Sequence, residues 1–122
     1  MAFGATLTLP QVGGNIVLNR INQDGYSSEY LFKDATQQYV AKVRHSKVNR
    51  GTKAAPLMYD RHNVEVTQTV YAAGAVAEYY RKVYFVTEQL PSDTNVILAD
   101  ALFDWGLVTA NENLTGLLGW QS

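Results

Sequence analysis

The residues with most to offer chemically lie between Lys42 and Arg61. Lys42, Arg44, Lys47, Arg50, Lys53 and Arg61 are six of the ten basic residues, and Asp60 is the only acid among them. Net charge is −1, which argues against indiscriminate nucleic-acid binding. A locally basic surface on a near-neutral chain suggests one defined anionic partner; the bland alternative is a solvated loop flanked by ordinary polar strand positions. Glu65 is as well suited to orient Arg44 or Arg61 as to touch a ligand. His45 and His62, the second beside Asp60, raise metal or acid–base chemistry. Two histidines without a third ligand pattern are more often packed core or interface groups, so no metal, cofactor or catalytic residue is assigned.

Two long strand patterns must position these groups. Gln38 to Ser46 puts Tyr39, Ala41 and Val43 on one parity and Lys42, Arg44 and Ser46 on the other. Tyr59 to Tyr71 puts Val64 and Val66 opposite Arg61, Asn63, Glu65, Thr67 and Thr69. A period of two sends alternate side chains to opposite faces. The result is a sheet with one apolar face and one polar, partly cationic face, which an antiparallel sheet can leave in water. His45 and His62 fall on the apolar parity.

Around this pair, Ala5–Leu9 and Ile16–Ile21 form an N-terminal hairpin across Gly13-Gly14. Asp24-Gly25 reverses the chain into Tyr26–Phe32, and 33–37 is a polar connection. Lys47 to Leu57 reads as an exposed loop, Ala72 to Ala77 as a small-residue turn, and Glu78 to Glu88 as a last strand. After Pro91 the period changes. Ser92 is the expected N-cap with Asp93 in the first turn, and Leu98, Leu102 and Trp105 recur at helical spacing opposite Asp100 and Asp104. Gly106 weakens or bends this helix before its end near Ala110. A second short helix over 112–118 carries Leu114, Leu117 and Leu118. The fold class is α+β in one domain over 1–122: hairpin 1–22, sheet 26–89, helices 92–119.

The length fits one domain with a modest core, and the hydrophobic share, 47% with eight Tyr, excludes disorder. With no cysteine there is neither a disulfide framework nor a thiolate site. No secretory signal and no membrane span are expected, so the chain reads as soluble. Five strands make a sheet roughly 24 Å wide, whereas a helix covers about 10 Å. Part of the apolar face is then left for a second copy, and the last strand is a candidate open edge.

Several strings sharpen this: Ile21-Asn22-Gln23-Asp24-Gly25-Tyr26, Ala41-Lys42-Val43-Arg44-His45, Arg61-His62-Asn63-Val64-Glu65, Thr69-Val70-Tyr71 and Gly119-Trp120. With the order of elements, they resemble the coat proteins of single-stranded RNA bacteriophages, the levivirus-like family, and look most like that of an RNA phage infecting Caulobacter. The resemblance covers essentially the whole chain. It implies an N-terminal hairpin, a five-stranded antiparallel sheet and two C-terminal helices. Two subunits join edge to edge into a ten-stranded sheet, with interlocked helices over the partner. The dimers build an icosahedral shell, in the virion and in the host cytoplasm during assembly, around genomic RNA. A stem-loop bound on the inner sheet face represses replicase translation and marks the genome for packaging.

Carried over residue by residue, the resemblance gives Lys42, Arg44, Ser46, Arg61, Asn63, Glu65, Lys82, Tyr84 and Val86 as RNA-contacting positions. Tyr84 falls where the family places a tyrosine stacked on a loop base. Lys47, Arg50 and Lys53 suit general contact with packaged RNA. Leu98, Leu102, Trp105, Leu114, Leu117, Leu118 and Trp120 are the implied dimer interface, and Ala72, Ala73, Gly74, Ala75, Val76 and Ala77 the implied inter-dimer loop. Where family members often show small polar residues in adenine pockets, this chain carries Val40 and Arg61. The competing classes are a small dimeric cellular RNA-binding or scaffold domain, and an enzyme using His45, His62 and Asp60.

Overall fold

A computed structural model describes residues 3–121. The chain divides into two compact units, one ending at Leu90 and the other beginning at Pro91. The first is a six-stranded antiparallel meander: β1 (Thr6–Leu9), β2 (Ile16–Gln23), β3 (Ser27–Lys33), β4 (Gln37–Asn49), β5 (Met58–Val70) and β6 (Tyr79–Gln89), hydrogen-bonded in sequence order. This corrects the expected hairpin plus five strands. The N-terminal hairpin belongs to the sheet, because β2 runs past a bulge between Arg20 and Asn22 and pairs with β3.

The turns are built by carboxylates. Asp24 Oδ1 accepts from the Tyr26 and Ser27 amides, both at 2.7 Å, and Oδ2 from the Ser27 hydroxyl at 3.0 Å. Asp34 Oδ1 does the same for Thr36 N at 2.7 Å and Gln37 N at 2.9 Å. An aspartate that caps the next amides satisfies donors the ladder cannot reach. At the far end, Ala73 and Val76 bridge across a two-residue turn with Gly74 at φ +57°, the position such turns reserve for glycine.

The β4–β5 ladder runs unbroken from Gln37↔Val70 to Asn49↔Met58, so β4 extends three residues beyond the expected Ser46. Lys47 is therefore a strand residue rather than a loop residue. By alternation it lies on the face of Tyr39, Ala41 and Val43, opposite Lys42 and Arg44. The loop proper is short and tied down: Asn49 Oδ1 accepts from the Gly51 and Leu57 amides, each at 2.9 Å.

The core lies on the apolar face. Leu18, Tyr30, Tyr39 and Ala41 are buried together, and Leu7, Leu9, Ile16, Phe32 and Val66 pack against them. The hairpin bends over this end of the sheet: Tyr30 donates to the Phe3 and Gly4 carbonyls at 3.2 and 3.1 Å, and Tyr39 to Gln11 Oε1 at 3.3 Å. The cover stops there, for Val83 on β6 shares the face and is 73% exposed.

The second unit holds one helical element, α1 (Ile97–Leu118). It corrects three expectations. The helix starts at Ile97 behind Val96, with no side-chain cap, rather than at Ser92. The intervening residues form their own turns instead, Asn95 N donating to Asp93 Oδ1 and Ile97 N to Asn95 Oδ1. The two expected helices form a single element, but Val108, Thr109, Ala110 and Asn111 leave helical geometry where the first was expected to end, near Ala110. Gly106, expected to weaken or bend the helix, keeps helical geometry and instead admits Leu114, whose Cδ2 would lie 3.6 Å from an added Cβ. Asn113 Nδ2 donates to the Trp105 carbonyl at 2.6 Å, holding the two sides of the kink together. The element ends with Trp120, φ +64°, in the left-handed position, while Gln121 N reaches back to the Gly116 carbonyl at 3.0 Å.

Candidate nucleic-acid interface

Cross-strand register assembles the polar face row by row. Glu29, Lys42, Glu65 and Tyr84 form one row across β3 to β6. Ser27, Arg44, Asn63 and Val86 form the next, and Ser46, Arg61 and Glu88 the one beyond. On the other side, Leu31, Val40, Thr67 and Lys82 complete the set. All nine strand positions named from sequence thus share one face of three adjacent strands.

The charges on this face are partly neutralised by acids: Glu65, expected there, and Glu88 and Glu29, which sequence reasoning did not place. Arg50 grips Glu88 with two nitrogens, Nε at 2.9 Å and Nη2 at 2.7 Å. Arg61 Nε lies 3.2 Å from the same carboxylate. That N–H is nevertheless buried without a hydrogen bond, so it is close to the oxygen but not aimed at it. The Arg50 hydrogen bond holds the Glu88 carboxyl below the usual carboxylate range, and Glu88 in turn raises Arg50. Arg44 pairs with Glu65, and Lys42 with Glu29, each at a looser 3.8 Å. Of the three cations expected in the loop, Arg50 is held by Glu88, and Lys47, on the other face of β4, by Asp60 at 2.6 Å. Lys53 makes no ion pair among the described residues.

Where the β2–β3 turn meets the sheet there is a cavity of about 390 Å³, lined by Asp24, Tyr26, Ser27, Arg44, His45, Ser46, Arg61, Asn63 and Val86. Five of these, Arg44, Ser46, Arg61, Asn63 and Val86, are among the nine RNA-contacting positions named from sequence. Val40 is not in the lining, although Arg61 is. Asn63 Oδ1 is buried there with no partner, an acceptor awaiting a donor. Two tyrosines that sequence reasoning left aside join the site. Tyr26 is 74% exposed at the cavity rim, and Tyr80 shares the polar face with Lys82 ranged 5.9 Å from its ring. The parity of Tyr80 matches that of Tyr84, so it was findable; Tyr26 reaches Arg44 only through strand pairing. Tyr84 is 63% exposed.

On the opposite parity His45 and His62 are exposed in the single chain, which removes the packed-core half of the expectation and leaves an interface role. Among the described residues no group of three or more His, Cys, Asp or Glu could hold a metal ion, and no helix is long and apolar enough to cross a membrane.

A family model described as "Phage phiCb5, coat protein" matches residues 4–90, well over half of the chain. The chain belongs to the phage phiCb5 coat protein family. A coat protein is a structural component of the virion, not an enzyme, and the Caulobacter-phage resemblance is thereby sustained. Comparison with solved structures finds "Bacteriophage EMS014 coat protein" at 17% identity and a TM-score of 0.57, over 83% of this chain and 68% of that one. At that identity the likeness shows the fold, a coat-protein antiparallel sheet with a C-terminal helix. No curated protein matches the chain.

Proposed function

We propose that this coat protein dimerises, assembles into an icosahedral shell around single-stranded RNA, and binds an RNA stem-loop on the polar face of its sheet. Stem-loop binding would repress replicase translation and select the genome for packaging. The observation that carries the RNA reading is the register of β4, β5 and β6, which gathers Lys42, Arg44, Ser46, Arg61, Asn63, Glu65, Lys82, Tyr84 and Val86 on one side, five of them lining the cavity. The cations neutralise phosphates. Loop bases of a hairpin are unstacked, so a base can lie on the exposed Tyr84 ring while the unpartnered Asn63 Oδ1 accepts from an exocyclic amine. Lys53 is placed for general contact with packaged RNA, as is Arg50 when Glu88 releases it.

Dimerisation is supported by apolar surface that one chain leaves uncovered. Leu98, Leu102, Trp105, Leu114, Leu117, Leu118 and Trp120 are all exposed, Trp120 to 92%. A surface this apolar on an isolated chain marks an interface. β6 is the terminal strand of the sheet, and its edge is the place for the partner's β6. The single domain over 1–122 is then completed by a second copy, whose helices roof the exposed apolar face. The turn over Ala72 to Ala77, with its small exposed residues, supplies contacts between dimers.

Filter binding with a hairpin from the start of the replicase gene tests the RNA site. Tyr84→Ala and Asn63→Ala are each expected to weaken binding by about 1–3 kcal/mol, the worth of one stacked or hydrogen-bonded base, while dimers persist in size exclusion. Unchanged affinity in both variants removes the assigned site. Electron microscopy of the purified protein tests assembly, which a monomer or lone dimer under all conditions would refute.

A further inference from the structure

The apolar side of β4 and β5 carries a group that RNA binding leaves unused. His45 and His62 stand directly opposite each other in the ladder. Their Nδ1 atoms are 2.8 Å apart and their rings meet edge-on, with centroids 5.0 Å apart. Such a contact needs one ring to donate through Nδ1–H and the other to accept. If the donating ring moves its proton to Nε2, two neutral lone pairs face the same point and no net proton is released.

We propose that His45 and His62 form a two-imidazole chelate for a divalent transition-metal ion of the copper(II) or nickel(II) kind, with water completing its coordination. The register supports it, since an unbroken ladder of 13 residues in each strand already holds both ligands side by side. The bite distance supports it too. With metal–nitrogen bonds of about 2.0–2.1 Å, nitrogens 2.8 Å apart subtend roughly 85° at the metal. That is close to the right angle of a tetragonal centre. A tetrahedral zinc ion would need the nitrogens roughly 3.3–3.4 Å apart.

The surroundings fit a nitrogen-only donor set. Asp60, the carboxylate in the neighbouring row, is held by Lys47 at 2.6 Å, and Thr87 of β6 faces His62 with no titratable group. Both residues are exposed in the single chain, so small ring rotations aim their lone pairs without disturbing its buried cluster. The site goes beyond the RNA reading: by strand alternation its two residues stand on the opposite parity from Arg44 and Asn63.

The test is titration of chelator-treated full-length protein with copper(II), read by electron paramagnetic resonance and by competition with a chelator of known affinity. One equivalent per chain with two imidazole nitrogens in the spectrum is expected. His45→Gln and His62→Gln should each weaken binding at least tenfold and reduce the pattern to one nitrogen. Far-UV circular dichroism confirms that the variants fold, and hairpin RNA binding should be unchanged in His62→Gln, whose residue does not line the cavity. Wild-type copper affinity in either variant, or no equivalent bound to the wild-type chain, overturns the proposal.

Discussion

Glu88 is the residue on which the charge of the RNA face turns. Its carboxylate holds Arg50 through two hydrogen bonds and lies beside Arg61, so two of the face's cations are only partly available to phosphate. The pairs are solvent-exposed, where ion pairs contribute little to stability. Removing the carboxylate should therefore change binding more than folding. Glu88→Gln is expected to bind hairpin RNA more tightly at low salt. The slope of log affinity against log salt should steepen by up to about two phosphate equivalents, as two guanidinium groups become free to displace counterions. Filter binding across a salt series measures that slope; an unchanged slope would mean that neither arginine reaches a phosphate.

At the scale of elements, the turns and the helix kink carry separate predictions. The Tyr26 amide, then the Ser27 hydroxyl and amide, hold the Asp24 carboxyl below its ordinary value. The Thr36 amide, followed by its hydroxyl, does the same for Asp34. These bonds exist only in the folded chain, so the unfolded chain binds more protons as the carboxyls titrate. Their stabilisation is complete above the ordinary aspartate value of about 3.9 and is lost as pH falls through the lower folded values. Asp24→Asn should thus have a lower urea midpoint than the wild type near neutrality, the gap closing as pH falls below about 4. In α1, Thr109, Ala110 and Asn111 all have positive φ, at 43°, 54° and 66°. A β-branched residue is the least suited to that region. Thr109→Gly is expected to raise stability by about 1 kcal/mol in urea unfolding, and a loss of similar size would show that the kink is not occupied in solution.

For the whole molecule, the decisive feature is apolar surface without an owner in the same chain. Leu118 is 85% exposed and Leu98 83%, so a charge at either position costs an isolated chain little. In a dimer whose helices roof the partner's sheet, the same charge is buried unpaired, at several kcal/mol. Leu118→Asp should therefore move the protein from dimer or particle to monomer in size exclusion with multi-angle scattering. Retention of the wild-type assembly would place the interface elsewhere.

The sequence by itself determined the strands, their two faces and the basic polar side, because side-chain period and turn chemistry are local. The Gln38–Ser46 and Tyr59–Tyr71 patterns needed no third dimension. Register was not legible: nothing local says that Glu88 meets Arg61, that Tyr26 arrives at Arg44, or that two histidines seventeen residues apart come within 2.8 Å. Those juxtapositions depend on ladder pairing between distant segments. The helix start was misread at Ser92 because a good capping residue does not oblige the chain to begin a helix there; Asp93 and Asn95 close turns of their own first. The extra strand pairing of the hairpin was missed for the same reason as the register, since a hairpin's outer edge is free to join a sheet only when tertiary contacts bring that sheet alongside.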